Sequence, residues 1–302
     1  MKSSIFALGC LLSGLVSMAQ APERVKSIFP ASTVVYENVP YAGDTLRKHL
    51  LDIYLPAGAG PRTPVVVWVH GGAWMSNDKY ADMGYMRNTI QDILAKGYAL
   101  ASIDYRHSTD AVFPAQAQDC NQALEFLYQH ASQYKLDKDR IALIGFSAGG
   151  HLASLIGLSN NNAVAVFYPP GLTSHFKVRC VLDFYGPSDF LMLASNPDTA
   201  INNMHNPVSI LLGALPVERP DLAKRASPVT YIDKDDPPFL IVQGEKDESV
   251  PNTQSKVLHS WLTLAGVANE LIVVPKAPHY GEMFDAAEIR ARVLALLEKV
   301  MR

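Results

Sequence analysis

A serine set between glycines, G-F-S-A-G at residues 145–149, follows the apolar run D-R-I-A-L-I and precedes the helix-like stretch H-L-A-S-L-I-G-L. A strand that turns sharply into a helix through such a pentapeptide can lift a serine hydroxyl clear of the backbone as a nucleophile. The glycines have a steric purpose. Ser147 would be held at a strained backbone angle, and neighbours larger than Gly145 and Gly149 would clash in so sharp a turn. A hydroxyl is a weak nucleophile, so it needs a base, and the base needs an acid to orient it. After such a turn the acid and then the histidine are expected at the ends of later strands. Asp247, in G-E-K-D-E-S-V-P after F-L-I-V-Q, and His279, in K-A-P-H-Y-G-E-M-F after E-L-I-V-V, fit that order. Glu245 and Glu248 are rival acids on the same loop.

The chemistry these groups could perform is acyl transfer, which places negative charge on one oxygen of a tetrahedral intermediate. Backbone N–H groups can hold that charge, and glycine lets them approach closely. H-G-G-A-W (70–74) follows the buried-looking run V-V-V-W-V. Gly71 and Gly72, with the N–H of Ala148, are the expected oxyanion donors, and His70 is expected to hold the loop by a hydrogen bond. Trp74 and Tyr105 lie near this loop and are either an aromatic wall for a bound ring or core aromatics. His107, after D-Y-R, is a candidate binding group. His151 lies one helical turn past Ser147 and reads as a packed or capping residue, because the helix carries it away from the turn's tip. The histidines and carboxylates show no metal-ligand spacing, and no G-x-G-x-x-G follows the first strand, so neither a metal nor a dinucleotide cofactor is expected.

Positioning groups this far apart requires a layered scaffold. Apolar runs near 34–41, 46–56, 65–70, 98–105, 140–146, 178–186, 237–244 and 270–275 read as strands, and most are separated by helical patterns. The expectation is an α/β fold with a mostly parallel central sheet covered by helices on both faces. Residues 189–230 break the rhythm with Pro, Asn and Leu, carry I-L-L-G-A-L and R-P-D-L-A-K-R-A-S-P as possible short helices, and are expected to form a small lid or cap. The stretch 159–176 is a possible addition to it.

The chain has 302 residues, 48% hydrophobic, with a formal net charge of −3. That is ample for one large core, and it argues against nucleic acid as a partner. Residues 1–19 carry Lys2, an apolar stretch from Ile5 to Val16 and small residues at Ser17 and Ala19. They read as a secretory signal peptide, leaving 20–302 as the mature domain, exported to the periplasm or outside the cell. No other stretch is long and apolar enough for stable membrane insertion. Cys120 and Cys180 fall at opposite sides of the expected layer and read as unbonded, buried hydrophobes.

Taken in order, H-G-G-A-W, S-I-D-Y-R, F-P-A-Q-A-Q-D-C, G-F-S-A-G-G-H-L-A, G-P-S-D, P-P-F-L-I-V-Q-G-E-K-D-E-S-V-P and P-H-Y-G-E-M-F resemble the α/β-hydrolase superfamily. More narrowly, they resemble the bacterial feruloyl and acetylxylan esterases of the BD-FAE type, over most of residues 45–302. The resemblance implies a serine esterase with Ser147, Asp247 and His279 as triad and Gly71, Gly72 and Ala148 as oxyanion donors. It also implies a small ester or acylated oligosaccharide of plant polysaccharide as substrate. Gln243 stands where such esterases usually carry His, His107 where Leu is common, and the usual glycine before His279 is absent. The alternatives are an exported peptidase or amidase of the same fold, and a non-catalytic binding protein that kept the fold.

Overall fold

Among the residues described by the computed structural model, 23–162, 164–195 and 203–302, the strands are β1 (Val34–Pro40), β2 (Leu50–Leu55), β3 (Thr63–Val69), β4 (Ala99–Ile103), β5 (Leu136–Phe146), β6 (Val178–Phe184), β7 (Phe239–Gly244) and β8 (Asn269–Val274). The helices are α1 (Glu23–Lys26), α2 (Arg87–Ala95), α3 (Ala115–Gln129), α4 (Ala148–Ser159), α5 (Phe190–Ser195), α6 (Pro207–Leu212), α7 (Pro220–Ala226), α8 (Thr253–Leu264) and α9 (Ala287–Val300). The strands make one sheet in the order β1-β2-β4-β3-β5-β6-β7-β8. β1 with β2 and β2 with β4 run antiparallel, and every later pair is parallel. This is the mostly parallel α/β architecture that the strand–helix rhythm predicts. The signal-peptide expectation for residues 1–19 lies outside the described residues.

The apolar runs are continuous because both faces of the sheet are covered. On one face Leu51, Ile53, Val65, Val67, Leu143 and Ile241 share a core with α3, α4 and α8. On the other, Val66, Trp68, Ile144, Phe146, Leu182 and Val242 pack with Ile90 and Ile93 of α2 and Val293 and Leu297 of α9. Cys120 and Cys180 are free and buried, one in each core, so the sheet separates them. No helix among the described residues is long and apolar enough to cross a membrane.

Between β6 and β7 the chain leaves the sheet for α5, α6, α7 and a 3-10 turn at Pro228–Tyr231. These helices have six, six and seven residues, too short to stand alone in water. They are held by Phe190, Leu193, Val208, Leu211, Ala223 and Ala226, which join the core over α4. Of this stretch, residues 196–202 are outside the description. Residues 159–176 brace this side: Phe167 packs edge-on against Phe113 and Tyr231, and its carbonyl accepts a hydrogen bond of 2.8 Å from the Asn121 amide.

Candidate active site

Parallel pairing brings the carboxyl ends of β5, β6, β7 and β8 to one rim, where ligands bind in open α/β sheets. The turn from β5 to α4 is tight enough to exclude side chains at both flanking glycines. A Cβ on Gly145 would sit 2.1 Å from the Gly149 carbonyl oxygen, and one on Gly149 would sit 2.0 Å from that of Val69. Ser147 between them has φ 52 and ψ −117, a strained conformation for a residue with a Cβ. Its N–H is fixed by a 2.8 Å bond to the Phe184 carbonyl of β6.

Asp247 follows β7 and His279 follows β8. His279 Nδ1–H donates to Asp247 Oδ2 at 2.7 Å, since a carboxylate can only accept. Nε2 is then free to accept from the Ser147 hydroxyl, 2.8 Å away. Asp247 Oδ2 also accepts from Gln243 Nε2 at 2.8 Å, and Oδ1 accepts the N–H groups of Ser249 and Val250 at 2.9 and 2.8 Å. The acid side chain is fully buried, while the imidazole keeps 16% exposure toward the cleft. Four donors on a buried carboxylate offset its desolvation and fix its plane. The rival acids are elsewhere: Glu245 is exposed and accepts the Lys276 N–H at 2.8 Å, and Glu248 is exposed.

The loop after β3 forms another wall of the same cleft, whose volume is about 670 Å³. Gly72 has φ +122, and a Cβ there would meet the Ser76 carbonyl at 2.3 Å, so the loop's path depends on glycine. The expectation for Gly71 needs correction. Its N–H donates to Asp82 Oδ2 at 2.7 Å, and a committed donor cannot also serve a substrate oxygen. The N–H groups of Gly72, Ala73 and Ala148 have no acceptor among the described residues. His70 holds the loop: Nδ1–H donates to the Gly71 carbonyl at 2.6 Å and Nε2 lies 3.4 Å from Asp104. Burial alone would raise the Asp104 carboxyl, but His70 and Lys48 hold it below the usual range.

The three candidate binding residues separate. Trp74 lines the cleft, with its indole N–H bonded to His151 Nδ1 at 3.2 Å. Tyr105 is fully buried, stacks on His70 with centroids 4.3 Å apart and donates to the His70 carbonyl at 2.9 Å. It is a core aromatic behind the loop and not a wall of the cleft. His107 is likewise not among the residues that line the cleft: its Nε2–H donates to the Asn77 carbonyl at 3.0 Å. His151 is buried and neutral, since burial pushes it down to about 4. Its Nε2–H donates to the Ala226 carbonyl at 2.7 Å.

Sequence reasoning missed Asp82, Tyr85, Tyr185 and Tyr280, all of which line the cleft. Tyr185 could have been found, because it directly follows the end of β6. Asp82 and Tyr85 lie in an irregular loop with no pattern to mark them.

Residues 51–262 match the family BD-FAE. The chain is 31% identical over 292 residues to esterase LipQ of Mycobacterium tuberculosis, an overlap of 94% of this chain and 64% of that relative. It therefore spans less than two thirds of that curated relative's length. A truncated carbohydrate esterase from gut microbiota superposes with TM-score 0.81 at 30% identity, over 89% of this chain and 96% of that one. The bifunctional GH43-CE of Bacteroides eggerthii superposes with TM-score 0.79 at 34% identity, over 89% of this chain and 35% of that one. A family match over most of the chain, together with these structural likenesses, leads to one conclusion: the chain belongs to the BD-FAE family and has the α/β-hydrolase fold.

Proposed function

We propose that this protein hydrolyses carboxylic esters through an acyl-enzyme on Ser147. One observation carries the reading. The Ser147 hydroxyl, His279 imidazole and Asp247 carboxylate are joined at 2.8 and 2.7 Å in the wall of a cleft that also holds backbone N–H groups without acceptors.

Ser147 Oγ attacks the ester carbonyl carbon as its proton passes to His279 Nε2. The oxyanion accepts from the N–H groups of Gly72, Ala73 and Ala148. Collapse of the tetrahedral intermediate breaks the bond to the alkoxide, which leaves with the proton from His279. Water then attacks the acyl carbon and gives a proton to His279, and that proton returns to Ser147 as the carboxylic acid departs. Asp247 keeps the imidazole in the Nδ1–H tautomer and stabilises its charged form.

The substrate reading is an acetyl or feruloyl ester on plant polysaccharide. Its support is the family, the carbohydrate esterases among the structural relatives, and a cleft lined by Trp74, Tyr85, Tyr185 and Tyr280 with no Lys or Arg among its described residues. Aromatic faces suit sugar and phenolic rings. The cap reading of residues 189–230 is supported by Leu193, Asn206, Pro207 and Val208, which line the cleft. The N-terminal residues 1–19 direct export. Wild type and Ser147→Ala are to be compared on p-nitrophenyl acetate and on acylated xylan fragments, with released acetate and ferulate measured. The variant should lose at least about 10³-fold in turnover. Equal rates would end the hydrolase reading, and preference for p-nitroanilides over esters would redirect it to a peptidase.

A further inference from the structure

Among the described residues nine non-glycine positions have positive φ, and six of them line the cleft: Ala73, Trp74, Asn77, Asp82, Ser147 and Tyr185. Strain of this kind persists where surrounding contacts over-determine the backbone. Asp82, at φ +68, is the residue through which these contacts run. Its Oδ2 accepts the Gly71 N–H at 2.7 Å and its Oδ1 accepts the Tyr85 hydroxyl at 2.6 Å. The Tyr85 proton is thereby used, so the 2.8 Å contact between the two phenols has Tyr185 donating to Tyr85. The Tyr185 ring meets the His279 ring edge-on, with centroids 5.0 Å apart. One carboxylate thus ties the glycine loop after β3 to the ring that abuts the imidazole, across chain segments more than a hundred residues apart. An ordinary loop clasp would need only the first of these bonds.

We infer that Asp82 is a positioning residue for the hydrolytic step, acting with Tyr85 and Tyr185. By taking the Gly71 N–H, it fixes the peptide that precedes Gly72 and Ala73 and leaves their N–H groups for the developing oxyanion. Through the two phenols it fixes the Tyr185 ring that abuts His279. The inference rests on the Ser147 acyl-enzyme reading. It predicts an effect on the transition state and little on ground-state binding, because the oxyanion exists only after attack.

The test uses the full chain and three variants, with active sites counted by a fluorophosphonate that labels the nucleophilic serine. Asp82→Gly removes the carboxylate and suits φ +68, so it adds no backbone strain. Its kcat per titrated site on p-nitrophenyl acetate should fall about 10- to 100-fold with KM within about threefold, the pattern of a lost transition-state contact. Asp82→Asn can reverse the hydroxyl chain while still accepting the Gly71 N–H, and should recover to within about threefold of wild type. Tyr85→Phe keeps the ring and cuts the chain, and should lower kcat about 3- to 10-fold. A kcat per site for Asp82→Gly within twofold of wild type, or a loss carried wholly by KM, overturns the inference. If Asp82→Gly fails to fold, wild-type kcat in Tyr85→Phe overturns it instead. Wild type that takes no label, or Ser147→Ala that takes as much, overturns the serine reading and this inference with it.

Discussion

Gln243 is the last side chain of β7 before the turn to Asp247, and it is fully buried. Its amide donates to Asp247 Oδ2 at 2.8 Å and to the Val250 carbonyl at 3.1 Å, while its Oε1 accepts from Ser255 at 2.7 Å. A neutral amide makes this contact at every pH, whereas a histidine there would titrate. Gln243→Leu keeps much of the volume but leaves the carboxylate one donor short and the Ser255 hydroxyl without its acceptor. The cost should be about 2 kcal/mol of stability and about tenfold in kcat/KM, read by urea unfolding and p-nitrophenyl acetate kinetics. Unchanged kinetics would mean that the other three donors suffice to hold Asp247. At this scale the sequence was informative where chemistry imposes an order of residue types. Ser147, Asp247 and His279 can be chosen together because a hydroxyl, an acid and an imidazole are expected in that order at strand ends, here those of β5, β7 and β8. It is uninformative about the direction of a single N–H, so it cannot tell Gly71, whose N–H Asp82 accepts, from Gly72. It is equally silent on which side of a loop an aromatic lies, so Tyr105 fits either a wall or the core until the structure places it.

The elements around the cleft are fastened by His151, one turn into α4. It accepts the Trp74 indole N–H from the β3 loop and donates to the Ala226 carbonyl at the end of α7. Its ring is stacked against Phe190 at 4.9 Å and edge-on to Trp74 at 5.2 Å. One neutral imidazole therefore joins α4, the β3 loop and the segment between β6 and β7. His151→Phe preserves the ring packing and removes both hydrogen bonds, stranding a buried donor and a buried acceptor. It should cost about 2 to 4 kcal/mol. His151→Gln can both accept and donate, and should recover at least half of that loss. Equal destabilisation by the two variants would place the effect in ring packing and not in the fastening. The strands and long helices were legible because period and flanking glycines mark them. The short helices are legible only in part: I-L-L-G-A-L and R-P-D-L-A-K-R-A-S-P point to α6 and α7, but nothing points to α5, because a six-residue helix is made by tertiary contacts that leave no period behind. For the same reason residues 159–176 read only as a possible addition to the lid: the packing of Phe167 there is against Phe113 and Tyr231, distant in the chain.

Over the whole molecule, two buried titratable groups, His151 on α4 and Asp183 against it, push stability in opposite directions with pH. Asp183, at the end of β6, accepts from Ser154 at 2.7 Å and from the Gly186 N–H at 2.9 Å, but burial dominates and pushes its carboxyl up to about 6 from 3.8. The folded state then holds this proton more tightly than the unfolded chain does. Its contribution to stability is full below pH 3.8, falls as pH rises to about 6, and is flat above. His151 does the reverse. Burial lowers it to about 4 from 6.5, so its contribution is lost as pH falls through that window and is full above it. The two slopes nearly cancel between pH 4 and 6, leaving the acid response to other groups. Substitution should separate them. Asp183→Asn, which fits the same two partners without a charge, should gain on wild type by roughly 3 kcal/mol between pH 4 and pH 7. His151→Gln should lose on wild type by a similar amount, roughly 3 kcal/mol, over the same interval. Urea unfolding at unit steps of pH reads both differences. A pH-independent difference for Asp183→Asn would mean that the carboxyl behind the serine turn titrates alike in the folded and unfolded states. The cancellation would then fail, because His151 would be left as the one group of the pair whose charge depends on the fold.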